Sequence, residues 1–162
     1  MFMSRLSCTA VVSLSLILPS LAQADCLRPA NAADLTASVI AGINAQRKAN
    51  GLGALQVDNA LGKAAQGLAC DNAARQGVSH VSSNGAQIQS RMRAVGYRFS
   101  AAAENTGRGF GSADRAIEWW MGSSGHRDNI LNANTRDIGV GIAVSDAPDS
   151  KLHWVVNMGA KR

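Results

Sequence analysis

The chain has 162 residues, 46% of them hydrophobic and 4% aromatic, with a formal net charge of +5. That length suits one domain with a real core. The basic residues do not gather into a stripe with exposed aromatics (Arg91, Arg93 and Arg98 come nearest), which excludes the usual nucleic-acid binder.

Met1–Arg5 carry one positive charge, Leu6–Leu21 is an apolar run diluted by serines, and Ala22-Gln23-Ala24 is a small-x-small pattern. These are the parts of a secretory signal peptide. Residues 1–24 are expected to be removed, leaving 25–162 as a single domain that is secreted or periplasmic. The apolar run is too short and interrupted for a membrane span. Asp25 rather than a small residue precedes Cys26, which argues against a lipid anchor and for a soluble exported protein, expected as a monomer. Cys8 leaves with the signal. Cys26 and Cys70 remain in an oxidising compartment, where two thiols most simply form one disulfide. It would close a loop of about 45 residues and stabilise by about 3–4 kcal/mol in the chain-entropy model. The alternative is two separate buried thiols.

Asp34–Asn50 reads as a helix with Leu35, Val39, Ile43 and Arg47 on one face, Asp34 as its cap and Asn50-Gly51 at its end. A short extended link leads to a second, alanine-rich helix over Asn59–Gln76, capped by Asp58 and stopped by Gly77. Its small side chains let another element approach closely. Asn84–Val95 is a third helix ended by Gly96, and Tyr97–Gly107 is strand-like. Ser112–Met121 is a fourth helix, with Ser112 or Asp114 near its start. The segments "DIGVGIAVS" and "KLHWVVNMG" alternate and flank the turn cluster "DAPDS", which predicts an antiparallel hairpin. Helices first and strands late indicate an α+β fold.

The chain has three histidines, His80, His126 and His153, and two glutamates, Glu104 and Glu118. His80 and His126 each follow a helix end, where side chains stand at rims and clefts. Glu104 lies among small residues in "AAAENTG", a setting that suits a buried carboxylate paired with histidine. His153 neighbours Trp154; with Trp154 facing the core, alternation turns His153 outward. Glu118 reads as a solvated helix residue. No nucleophile elbow is present, Ser123 and Ser124 lie too close in sequence to His126 for a relay, and no H-E-x-x-H occurs. His80 and His126, with Glu104 or water, would make a loose zinc site.

The segments "IAGINAQRKANGLGALQVDNAL", "GVSHVS", "AENTGRGF", "AIEWWMGSSGHRDNILN", "DIGVGIAV" and "HWVVNMG" together resemble the CAP superfamily of cysteine-rich secretory, antigen 5 and pathogenesis-related 1 proteins. The likeness is to the compact bacterial branch of SCP-like extracellular proteins and covers roughly Leu35–Gly159. It implies a three-layer α-β-α sandwich around a small antiparallel sheet. It also implies a cleft with His80, Glu104 and His126, where two histidines of other members hold a divalent metal, typically zinc. Ser123 stands where eukaryotic members carry a second glutamate, so that acid is missing. The resemblance makes Trp120 a core residue, after which the Ser123–Gly125 turn swings His126 to the cleft and Arg127–Leu131 begins the next turn. Three functions follow, in this order. The first is a non-catalytic cleft module for a lipid, a small ligand or an envelope component. The second is a structural envelope protein with a relic cleft. The third is a zinc-dependent hydrolase using His80, His126 and Glu104.

Overall fold

The computed structural model describes residues 26–145, 147–148 and 151–162. The expected signal at 1–24 lies outside the described residues, as does part of the "DAPDS" turn. The chain runs α1 (Ala32–Ala49), β1 (Gln56–Val57), α2 (Asn59–Ala74), α3 (Ile88–Ala94), β2 (Phe99–Arg108), α4 (Ala113–Gly122), α5 (Ser124–Ile130), β3 (Asp137–Val144) and β4 (Leu152–Lys161). This is the expected α+β sandwich.

Several ends follow the residues that predict them. Asp58 Oδ1 accepts from Ala60 N at 2.8 Å and Leu61 N at 3.0 Å, capping α2. Ser112 Oγ accepts from Arg115 N at 3.3 Å and caps α4. Gly96 takes a φ of 81° at the end of α3. Other ends differ. Asp34 sits inside the first turn of α1, because Ala32 N already bonds Pro29 O at 2.9 Å and the helix starts after Asn31. The left-handed residue closing α2 is Gln76, with a φ of 52°, one position before the expected Gly77. α3 begins at Ile88 rather than Asn84. The Asn84 side chain accepts from Ala86 N at 3.0 Å, and Ser82 N bonds Ala86 O at 3.0 Å, so local turns absorb 82–86. The Arg127–Leu131 turn is instead the body of α5, which starts directly after Ser123.

The sheet order is β1-β3-β4-β2. β3 and β4 form the antiparallel hairpin, with Val140 opposite Val156, and β2 pairs antiparallel with β4, with Glu104 opposite Asn157. The sheet is mixed rather than purely antiparallel. The extended link after α1 contributes β1, which runs parallel to β3 through two residues. Cys26 and Cys70 form the disulfide and fasten the N-terminal arm to α2.

Helices cover both faces, and the period-2 alternation of the strands divides the core. Ile138, Val140 and Ile142 of β3, with Trp154, Val156 and Met158 of β4, pack under Val39 and Ile43 of α1 and Ile117 and Trp120 of α4. The opposite face of β3 carries Gly139 and Gly141. A Cβ built on Gly139 would meet the backbone of Leu61–Gly62, and one on Gly141 the backbone of Ala65–Gln66. The alanine-rich helix therefore rests backbone to backbone on the strand. His153 shares this face, as alternation requires, yet it is buried rather than outward, because α2 and its following loop cover it. Its Nε2 lies 3.0 Å from Ser145 Oγ, and the Gly77 backbone also lies against the ring.

Arg47 sits on the apolar face of α1 and is 1% exposed. It finds no carboxylate among the described residues. Its Nε donates to Gly53 O at 2.8 Å, and its Nη1 to Ile130 O at 2.8 Å and Asn132 O at 3.0 Å. The charge thus meets the carbonyl end of α5, where the helix dipole is negative.

Two predictions arise here. Gly139→Ala or Gly141→Ala forces α2 off the sheet and should cost about 3 kcal/mol in urea denaturation. Gly67→Ala, on the exposed side of α2 with open space around its Cβ, should instead stabilise by about 0.5–1 kcal/mol. The second concerns acid. Burial pushes the His153 imidazole below the usual histidine range, the Arg108 guanidinium adds to the shift, and the Gly77 backbone opposes it. A depressed folded value means that the unfolded chain binds the proton first, so stability is full above about pH 6.5 and falls as pH drops through the folded value. His153→Gln should narrow the difference in urea midpoint between pH 7.5 and 5.5; an unchanged difference would refute this assignment.

Candidate functional site

Four elements converge on the carboxylate of Glu104, whose side chain is 3% exposed on β2. His80, in the loop after α2, has its Nδ1 2.9 Å from Oε1. A carboxylate only accepts, so Nδ1 carries the proton and Nε2 faces away. Arg91, inside α3, donates from Nη2 to Oε2 at 2.6 Å. Its Nη1 also donates to His80 O at 3.0 Å and Ala86 O at 2.6 Å, which ties the histidine loop to α3. Asn157 of β4, with its amide nitrogen toward the carboxylate, donates to Oε2 at 2.8 Å. Both oxygens of Glu104 are therefore taken by protein donors.

His126 stands on the first turn of α5. Its Nδ1 lies 3.0 Å from Ser123 Oγ, and its ring packs 4.9 Å from that of Trp119. Burial pushes its imidazole below the usual range, and the nearby His80 adds to that shift. α5 is fixed to β2 through amides: Asn129 Nδ2 donates to Glu104 O at 3.1 Å and to Asn105 Oδ1 at 2.9 Å, and Asn105 Nδ2 donates to His126 O at 3.0 Å. Trp120 is fully buried, its indole N–H on Thr106 O at 2.9 Å, whereas Trp119 is half exposed beside Phe110.

A cleft of about 430 Å³ opens against these groups, lined by His80, Val81, Gln87–Gln89, Ala102–Glu104 and Asn129. His80 and Glu104 meet directly. His126 and Ser123 form a second pair on the α5 side. Glu118 is solvated and ion-paired with Arg115, as expected, and His153 belongs to the other face of the sheet. Residue types alone miss Arg91, Asn129 and Asn157. Two of these carried a signal: Arg91 shares the helical face of Ile88, Met92 and Val95, and Asn157 interrupts an apolar strand.

The family model described as the cysteine-rich secretory protein family, CAP, matches residues 40–158. The chain belongs to the CAP family. Two Bacillus subtilis proteins are similar to this CAP domain: the uncharacterized protein YkwD, 35% identical over 102 residues, and the uncharacterized membrane protein YlbC, 30% identical over 99. These stretches are 63% and 61% of this chain but 40% and 29% of those proteins. The domain thus spans well under half the length of these curated relatives. Among solved structures, an outer surface protein of Borrelia burgdorferi superposes with a TM-score of 0.74 at 20% identity, over 85% of this chain and 99% of that one. An extracellular SCP-domain protein of Bacillus anthracis does so at 0.69 and 25% identity, over 80% of this chain and 41% of that one.

The ion pair carries a stability prediction. Arg91→Ala leaves a buried carboxylate without its cation and should lower folding stability by about 3–5 kcal/mol. Glu104→Gln should cost less than Arg91→Ala. If Arg91→Ala costs no more than the exposed control Arg93→Ala in the same denaturation series, the pair is not what holds this wall.

Proposed function

We propose that this chain is an exported CAP-domain protein whose cleft binds a lipid, a small ligand or a cell-envelope component without catalysing its conversion. One observation carries the reading. Glu104, the acid of the cleft, is 3% exposed, and its two oxygens already accept three protein donors, from His80, Arg91 and Asn157. A general base needs an accessible lone pair within reach of the proton that it takes. Glu104 is held as a brace for the cleft walls instead. Export is supported by the disulfide, which belongs to an oxidising compartment, and by the sequence of residues 1–24. No helix among the described residues is long and apolar enough to cross a membrane.

A second reading is favoured by the ring orientations. His80 and His126 both use Nδ1 for protein contacts, which leaves their Nε2 atoms to face a ligand. Metal-binding imidazoles are oriented in the same way, by a protein group on the nitrogen that does not touch the metal. His80 and His126 would hold a zinc ion, and zinc would supply an activated water. Among the described residues no third histidine, cysteine or carboxylate joins them, so the remaining positions would fall to water or ligand. In this reading Glu104 orients His80.

Isothermal titration of lipid, saccharide and peptide panels into purified protein tests the first reading. A ligand should bind, and His80→Ala and His126→Ala should each weaken it at least tenfold. Zinc titrated into chelator-dialysed protein tests the second, which needs micromolar binding lost in the same two variants.

A further inference from the structure

The cleft follows an open edge of the sheet. β2 is an outermost strand, paired with β4 on one side and with no strand among the described residues on the other. In an antiparallel pair, residues alternate between those whose N–H and C=O face the partner and those whose groups face away. The register settles which is which. Gly159 stands opposite Ala102, and its carbonyl accepts from Arg136 N at 2.7 Å, on the β3 side. Ala102 therefore turns its backbone groups away from β4, and so do Glu104 and Thr106. Further along the strand, side chains use those outward carbonyls: Trp120 Nε1 donates to Thr106 O at 2.9 Å, and Asn129 Nδ2 to Glu104 O at 3.1 Å. At Ala102 the substitutes stop. By the register its N–H and C=O point off the open edge of the sheet, no hydrogen bond to them is seen among the described residues, and Ala102 lines the cleft.

We propose that the cleft takes an extended peptide, which joins β2 as an added strand and pairs with the N–H and C=O of Ala102. The proposal rests on reading the cleft as a binding site and names its partner. A donor and an acceptor on one strand residue match another backbone. An acyl chain offers neither. Ala101, Ala102 and Ala103 have small side chains, so a second backbone can approach, and the amides of Gln87, Gln89 and Asn129 line the same cleft. Exposed Arg93 and Arg98 flank the start of β2, with the Arg93 guanidinium 5.3 Å from the Phe99 ring centre. An acidic peptide residue is favoured at that end.

The probe is a set of end-blocked hexapeptides of alternating valine and threonine, with aspartate at one end, at the other, or absent, titrated into the disulfide-bonded protein. For the tightest binder, N-methylation of one alternate set of amides weakens binding at least tenfold, and methylation of the other set changes it less than twofold. The Ala102 amide gains hydrogen-exchange protection when the peptide binds. Ala102→Pro removes the cleft-facing donor but no ladder bond, and weakens binding at least tenfold; should that variant fail to fold, the exchange measurement on the unaltered protein decides. Equal losses for both methylated sets, unchanged exchange at Ala102, or no binding by any hexapeptide overturns the proposal. A lipid or saccharide that binds while the peptides fail, and is lost in His80→Ala, leaves the binding cleft standing and removes only the peptide.

Discussion

A carboxylate as deeply buried as Glu104 must be met by donors on its protein side, and that requirement organises the cleft. Arg91 arrives from α3, His80 from the loop after α2, and Asn157 from the neighbouring strand. An unpaired charge in that position would cost several kcal/mol. The loop 77–87 has little apolar material of its own, so the contacts of Arg91 with His80 O and Ala86 O give it a defined course. The ion pair is thus as much a means of shaping a loop as an electrostatic contact.

The other wall depends on a second buried cation that is satisfied differently. Arg47 meets only carbonyl and hydroxyl oxygens, including Ile130 O at the end of α5. α5 has seven residues, too few to hold itself in water. Arg47 and the Asn129 amide at its C-terminal end, with the Asn105 amide on His126 O near its start, place His126 and Ser123. The two arginines lie on different layers, and each anchors one side of the same opening.

Much of this was legible in the sequence, for definite reasons. Hydrophobic period and capping chemistry located α1, α2, α4 and the β3–β4 hairpin, because Asp58 and Ser112 act through bonds within their own turn. His80, Glu104 and His126 were nominated by the scarcity of their residue types and by the family resemblance. What escaped were features settled by distant neighbours. The two residues of β1 become a strand only because β3 lies beside them. Residues 82–86 leave the helical pattern because Asn84 and Ser82 find local bonds. His153 was placed on the correct face of its strand, but its burial depends on α2, far earlier in the chain, which no local pattern reports. Arg91 looked like one member of a loose basic group, since sequence cannot show that Glu104 waits opposite.

The meeting of α2 with β3 has one further implication. Glycine faces it at 139 and 141, and alanine at 65 and 69. Both partners already use nearly the smallest side chains that the genetic code provides. The gap between helix and sheet is therefore close to its minimum: any side chain added at 139 or 141 widens it. A widening would lift the end of α2 and, with it, the loop that begins there and carries His80. The histidine's height above the sheet is set by how little lies beneath the helix, so a lineage that keeps this cleft must also keep that emptiness.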